Sequence, residues 1–367
     1  MKFLRRCVDT IFIMLGHECN LNCRYCLQHP LVHNQISHEI NPDIYDFIEQ
    51  VNEENSGRSM RLQFFGGEAT LFFKNVKEIV TEIEKRKLNI SWSLMSNGKA
   101  ITQEMVDFFK EHHFWVCISY DGFNVLKTRG YNPFGDEEHK KLLFQIPDLG
   151  VSAVLSAYNS PKQICKAFQE LDDEYFEIHG HHLYMNVDDI FDTGGLNKDL
   201  LDIDYNKISE EVAEMTRDYI QDRVNGYVPK EHYASNVYID TMYGFLVGFY
   251  SRDWYKQKLY MSNCRNGLST IDLGIDGTLY PCHNTSESVG KIYDNYFNYL
   301  ERLLEYDDTR RHYEETCKDC PALAYCHCGC KMVKDKEREE SYCKLKRAVF
   351  VPLLNLVQKF KEEDYKE

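Results

Sequence analysis

The chain has 367 residues, 43% hydrophobic and 28% charged, with 43 Lys plus Arg against 58 Asp plus Glu. A net charge of -15 repels phosphate backbones, which argues against nucleic acid as the main partner. The balance of apolar and mixed charged residues excludes a disordered chain. The apolar run at residues 10–16 falls far below the ~20 residues of a membrane span, and no small-residue cleavage site follows it, so it is not a secretory signal.

In chain order, the first ~190 residues alternate strand and helix patterns. Apolar strands are expected at roughly 10–16, 60–65, 89–95, 114–120, 150–157 and 181–187. Asn41-Pro42 reads as a helix cap with proline in the first turn, after which Ile44, Phe47, Ile48 and Val51 share one face. Val76, Ile79, Val80 and Ile83 repeat the spacing. This alternation predicts βαβ units and a parallel sheet. Six units are too few for a closed eight-stranded barrel, so the expected fold class is α/β, a partial (β/α)6 TIM-like barrel. Residues ~196–260 read as helical, with Tyr238, Met242, Phe245 and Phe249 as a core stripe. Residues 269–281 read as a hairpin turning at Asp276-Gly277. Short helices around cysteines follow, closed by a helix near 352–363.

Fourteen cysteines are the most informative feature. Three lie in residues 19–26, two frame residues 264–282, and six fall in residues 317–343. A secreted disulfide scaffold is short and spreads its cysteines. Clusters in a long chain without a signal peptide read as metal ligands in a reducing cytoplasm. Cys7, Cys117 and Cys165 lie outside the clusters and read as structural.

Cys19, Cys23 and Cys26 are spaced C-x3-C-x2-C directly after the first strand. Three thiolates that close can hold three irons of a cubane and leave the fourth open to a small molecule. Zinc is the alternative, with His17 or His29 completing a tetrahedral site. The loop, with Tyr25 before its last cysteine, resembles the signature of radical S-adenosylmethionine (SAM) enzymes. The later strand ends agree. Phe65-Gly66-Gly67-Glu68 resembles the family's G-G-E motif, and Ser96-Asn97-Gly98 its T/S-N-G turn. Ser119-Tyr120-Asp121-Gly122 is followed by Arg129, and Asn159 ends the fifth strand. By this resemblance the open iron binds the amino and carboxylate groups of SAM, which is split to a 5′-deoxyadenosyl radical. Tyr25, Gly66, Gly67, Glu68, Ser96, Asn97, Ser119, Arg129 and Asn159 are the expected SAM-binding residues. Asp121 is a candidate catalytic carboxylate.

Cys264, Gly277, Cys282, Cys317, Cys320, Cys326, Cys330 and Cys343 resemble the seven-cysteine SPASM extension. That resemblance implies two auxiliary 4Fe–4S clusters, making three with the SAM-binding one. Cys264, Cys282 and Cys330 would ligate the first auxiliary cluster, and Cys317, Cys320, Cys326 and Cys343 the second. Cys328 is extra: it either closes the first auxiliary cluster or leaves one iron there open for a substrate thiol, and the open iron is the expectation. A zinc ribbon of the 317–330 cysteines is the competing assignment. The expected division is a radical SAM partial barrel at 1–195, a helical bridging segment at 196–260 and a SPASM domain at 261–367.

SPASM-bearing enzymes mostly modify peptides. The resemblance implies an oxidoreductase that matures a ribosomally made peptide through a thioether or carbon–carbon cross-link. A formylglycine-forming sulfatase maturase and a sugar-type small-molecule dehydrogenase are the alternatives. Sulfatase maturases resemble one another in an Asp after the hairpin's last cysteine, where this chain has His283, a candidate base. Eighteen residues precede Cys19, where many peptide maturases carry a leader-binding domain. Leader recognition is therefore expected from a separate protein or from residues ~190–260. Expected partners are a peptide, favoured basic by the acidic surface, and an external flavodoxin- or ferredoxin-type electron donor, with neither nucleic acid nor membrane involved.

Overall fold

A computed structural model describes residues 8–28, 38–55, 58–192, 196, 198–250, 269–306, 313–333 and 341–364. Cys7, His29 and Cys264 lie outside the described residues, as does the Phe249 side chain. In chain order the elements are β1 (Thr10–Met14), α1 (Asp43–Glu54), β2 (Met60–Phe65), α2 (Phe73–Lys85), β3 (Ile90–Ser96), α3 (Gln103–Glu111), β4 (Trp115–Ser119), α4 (Val125–Thr128) and α5 (Glu137–Leu143). Then follow β5 (Asp148–Leu155), α6 (Pro161–His179), β6 (Tyr184–Asp189), α7 (Tyr205–Asn225) and α8 (Tyr233–Tyr250). The last are β7 (Thr270–Gly274), β8 (Thr278–Tyr280), β9 (Gly290–Lys291), α9 (Tyr296–Tyr306), α10 (Leu323–Cys326) and α11 (Cys343–Asp364).

The chain forms two compact units. The first holds residues 1–119, 130–150 and 265–307. Its sheet runs β4-β3-β2-β1-β7-β8-β9. β1 to β4 pair in parallel, each with its neighbour in sequence. Strands covered on both faces read as continuous apolar runs, and Ile11, Ile13, Leu62, Phe64, Leu94, Val116 and Ile118 are all fully buried. α1 buries Ile44, Phe47, Ile48 and Val51, and α2 buries Val76, Ile79, Val80 and Ile83, the faces that the 3.6-residue period marks. Pro42, not Asn41, is the N-cap of α1, and Asn41 Oδ1 accepts from Asp43 N at 3.0 Å just before the helix.

The hairpin belongs to this same sheet. β7 pairs in parallel with β1, Thr10 opposite Thr270, and β8 returns antiparallel. Gly277 makes the turn at a φ of +81° that a side chain would strain. The first compact unit therefore joins residues 265–307 to the barrel strands, whereas the motif pattern groups them with the later cysteines.

The second unit holds residues 120–129, 151–264 and 308–367. It contains most of β5, together with β6, and the helices α4, α6, α7, α8, α10 and α11. α7 and α8 pack with α11 inside it, so the bridging segment and the C-terminal helix share one core. Tyr238 and Met242 of the aromatic stripe are buried, but Phe245 is exposed. α11 starts nine residues before Pro352. Proline reads in sequence as a first-turn residue, which is why the helix start is expected too late.

Candidate active site

In the first unit the cysteine loop leaves the end of β1 and is anchored by β2. Gly67 N donates to Gly16 O at 3.0 Å and Glu68 N to Glu18 O at 2.8 Å. A Cβ on Gly67 would stand 2.3 Å from the carbonyl oxygens of His17 and Glu18, and one on Gly66 2.6 Å from Gly16 O. The two glycines are thus needed for the chain's own crossing: backbone packs on backbone just before Cys19.

Glu68 follows β2 with a buried carboxylate and caps the short turn at Ala69–Phe72. Its Oε1 accepts from Thr70 N at 3.0 Å, from Thr70 Oγ1 at 2.5 Å and from Ser96 Oγ at 2.8 Å. Its Oε2 accepts from Asn97 N at 2.7 Å. Asn97 Nδ2 in turn donates to Asn20 Oδ1 at 2.7 Å and reaches Cys19 Sγ at 3.8 Å. Four expected residues, Glu68, Ser96, Asn97 and Cys19, therefore form one chain of contacts across the ends of β1, β2 and β3. Tyr25 is buried within the loop and Ser119 ends β4 half-buried.

Cysteine sulfurs carry a repeated local pattern. Leu21 N donates to Cys19 Sγ, Asn284 N to Cys282 Sγ and Met332 N to Cys330 Sγ, each at 3.4 Å and each from two residues on. An N–H aimed at sulfur favours thiolate over thiol, so the donor set fits a thiolate-bound cluster. Burial raises the Cys19 pKa, and the Leu21 amide works against that. Among the described residues no three His, Cys, Asp or Glu side chains converge on the position of a single metal ion.

His283 follows Cys282 at the end of the hairpin. Its ring stacks on Phe12 and meets Phe65 edge-on, with ring centroids 4.6 Å away in both cases. Nδ1 lies 3.1 Å from Asp272 Oδ1, and Gln28 Nε2 donates to the His283 carbonyl at 2.5 Å. Asp272, Phe12 and Gln28 belong to none of the motifs, and Phe65 enters only as the residue before the G-G-E turn. The one sequence signal is Asp272 itself, a carboxylate between Ile271 and Leu273 in an apolar strand.

In the second unit Asp121 is fully buried and heavily bonded. Its carboxylate pairs with the Arg129 guanidinium at 3.1 Å and accepts from Thr128 Oγ1 at 2.6 Å and Val154 N at 3.0 Å. Asn159 Nδ2 donates to Val154 O and to Asp121 O, and its Oδ1 accepts from Ser156 N. Asp121 therefore anchors the turn before α4. The Asp121–Arg129 pair and Asn159 form a brace, and Ser119 belongs to the other unit.

Cys317, Cys320, Cys326, Cys328, Cys330 and Cys343 also lie in the second unit. Burial pushes the Cys326 thiol up to about 12, with Lys346 opposing and Cys343, Cys317 and Cys320 adding to the rise. Cys343, Cys317 and Cys320 thus each stand within electrostatic reach of Cys326. Cys330 and Cys343 pack with Cys326, Val333 and Tyr342. Cys328 is buried at a φ of +64°. Cys117 and Cys165 are buried.

Residues 13–152 match the Radical SAM superfamily model. The cysteine-type anaerobic sulfatase-maturating enzyme of Clostridium novyi is 22% identical over 346 residues, covering 87% of this chain and 86% of that enzyme. Native anSMEcpe with bound AdoMet and Cp18Cys peptide superposes with a TM-score of 0.64 at 19% identity, over 95% of this chain and 99% of that one. Streptococcus suis SuiB bound to precursor peptide SuiA gives a TM-score of 0.57 at 16% identity, over 90% of this chain and 73% of SuiB. Residues 13–152 thus carry a radical SAM domain, and the chain is related to the sulfatase-maturating enzymes. The family implies SAM and one 4Fe–4S cluster. No helix among the described residues is long and apolar enough to cross a membrane.

Proposed function

We propose that this chain is an oxidoreductase that matures a ribosomally made peptide by forming a thioether or carbon–carbon cross-link. When bound, SAM and its cluster supply a hydrogen-abstracting radical, and two auxiliary clusters supply an electron acceptor. Cys19, Cys23 and Cys26 would hold the first. Cys264, Cys282 and Cys330 would hold one auxiliary cluster, and Cys317, Cys320, Cys326 and Cys343 the other. Tyr25, Gly66, Gly67, Ser96, Asn97, Ser119, Arg129 and Asn159 are assigned to building the SAM site. Glu68 is assigned to the SAM ammonium, because Oε2 carries one donor where an ionised oxygen accepts about two.

The observation that carries the proposal is the His283–Asp272 pair beside Cys282. Asp272 holds a proton on Nδ1, which leaves Nε2 as the accepting nitrogen. Phe12 and Phe65 prevent the ring from turning away. His283 Nε2 would take the proton that the substrate gives up, and SAM and the clusters, when bound, would supply the acceptors for the hydrogen atom and the electron. Two hydrogens leave in total, and a new bond closes. A flavodoxin- or ferredoxin-type donor supplies the starting electron, and a separate protein or residues ~190–260 recognise the leader.

A second reading, formylglycine formation, is favoured by the near full-length similarity to the cysteine-type sulfatase-maturating enzyme. Mass spectrometry separates the two. The reconstituted enzyme is given SAM, reductant and either a cysteine-containing sulfatase-motif peptide or short cysteine-rich peptides encoded beside its gene. A cross-link removes two hydrogens and keeps sulfur, whereas formylglycine loses sulfur and leaves a hydrazine-reactive aldehyde. SAM cleavage with every peptide unaltered would overturn the peptide assignment.

A further inference from the structure

Lys346 is a buried cation in an apolar part of the second unit. It lies three residues after Cys343, on the same face of α11. Its Nζ is 4.7 Å from the centroid of the Tyr325 ring and 5.3 Å from that of Tyr342. Tyr325 precedes Cys326 and Tyr342 precedes Cys343, so the ammonium stands between two of the cysteine-bearing segments. Its partner is Asp189 at the end of β6, 2.7 Å away, with side-chain exposures of 12% and 2%. Tyr325 OH also donates to Asp189 Oδ2 at 3.2 Å.

Taking both charges out of water is costly, and apolar residues of the same size often serve stability as well or better. A fold tie alone therefore gives weak reason for the pair. The cysteines supply a reason. A cubane held by four thiolates is anionic, and each added electron makes it more so. Its potential follows the charges and hydrogen bonds around it. A cation beside the ligands favours the reduced state, and a carboxylate behind that cation tempers the effect.

We propose that Lys346 is the fixed positive charge that raises the reduction potential of the cluster held by Cys317, Cys320, Cys326 and Cys343, and that Asp189 holds it in place and moderates it. This rests on the assignment of that cluster under the proposed function. Both are positioning residues and touch no substrate. The couple is one electron from the titrant into the cluster, with no proton transferred. Burial disfavours the Lys346 charge, but Asp189 and the surrounding tyrosines and Cys326 outweigh it and hold its pKa well above the usual lysine range.

The test is an anaerobic redox titration of the reconstituted full chain, followed by electron paramagnetic resonance. The signal lost in the Cys317→Ala/Cys320→Ala variant identifies the cluster. If that variant loses no signal and no iron, the cluster assignment falls. If the signal is present, Lys346→Met is expected to make its midpoint potential more negative, Asp189→Asn to make it less negative, and Lys346→Arg to leave it in place. Opposite signs are what a structural tie cannot produce, since losing either partner breaks the same bond. Where Lys346→Met fails to take up iron, Asp189→Asn decides, because the anionic cluster remains a counter-ion for Lys346. An unchanged or more negative potential in Asp189→Asn overturns the proposal while leaving the cluster assignment intact.

Discussion

His283 Nδ1 lies 3.1 Å from Asp272 Oδ1, a carboxylate exposed by only 2%, on the strand that pairs in parallel with β1. A buried carboxylate fixes the tautomer and tilt of an imidazole. His283→Gln is expected to lower peptide turnover by roughly 10²–10⁴-fold, the usual contribution of a positioned base, while SAM cleavage without peptide continues. Asp272→Asn is expected to do the same to a smaller degree by releasing the ring. Equal loss of peptide-independent 5′-deoxyadenosine formation would show that His283 serves SAM binding instead.

Glu68→Ala removes the acceptor of four donors from Thr70, Ser96 and Asn97. Each buried donor left unpaired costs about 1–3 kcal/mol, so the melting temperature should fall by several degrees. Glu68→Gln keeps Oε1-type acceptance but loses the charge. It is expected to weaken SAM binding in equilibrium dialysis with the iron content unchanged. Unaltered affinity would confine Glu68 to bracing the ends of β2 and β3.

Gly67→Ala puts a methyl 2.3 Å from two backbone carbonyl oxygens that lead into the cysteine loop. No flexible side chain is there to yield, so the loop itself must move. Loss of the SAM-binding cluster, about four irons, is expected, with the other clusters retained. Full iron content in Gly67→Ala would contradict this account of the glycine.

Much of this was legible in the sequence because periodicity and spacing are local. The apolar faces of α1 and α2, and the Gly277 turn, follow from neighbours a few residues apart. The turns at Gly66–Glu68 and Ser96–Gly98 were legible as motifs, but not their bonding to each other, because residues 28 apart meet only when β2 and β3 pair. The same limit hid Asp272 behind His283, Asp189 behind Lys346, and β7 beside β1. Asp121 reads in sequence as an acidic residue at a strand end, and its bond to Val154 N, 33 residues on, shows only in the fold.

Cys328 is buried in a left-handed backbone conformation between Cys326 and Cys330. With the first auxiliary cluster open at one iron, Cys328→Ala is expected to keep every cluster, and a thiol-containing peptide should still shift the signal of that cluster. Loss of that signal in Cys328→Ala would make Cys328 its fourth ligand and close the site to substrate sulfur.

The central claim is that three cysteine sets hold three cubanes, one of them reactive toward SAM. Anaerobic reconstitution followed by iron analysis and a 5′-deoxyadenosine assay tests it most directly. The wild-type chain should bind about 12 irons and cleave SAM on reduction, and the Cys19→Ala/Cys23→Ala/Cys26→Ala variant about 8, with cleavage abolished. A colourless, zinc-loaded protein that leaves SAM intact would contradict it.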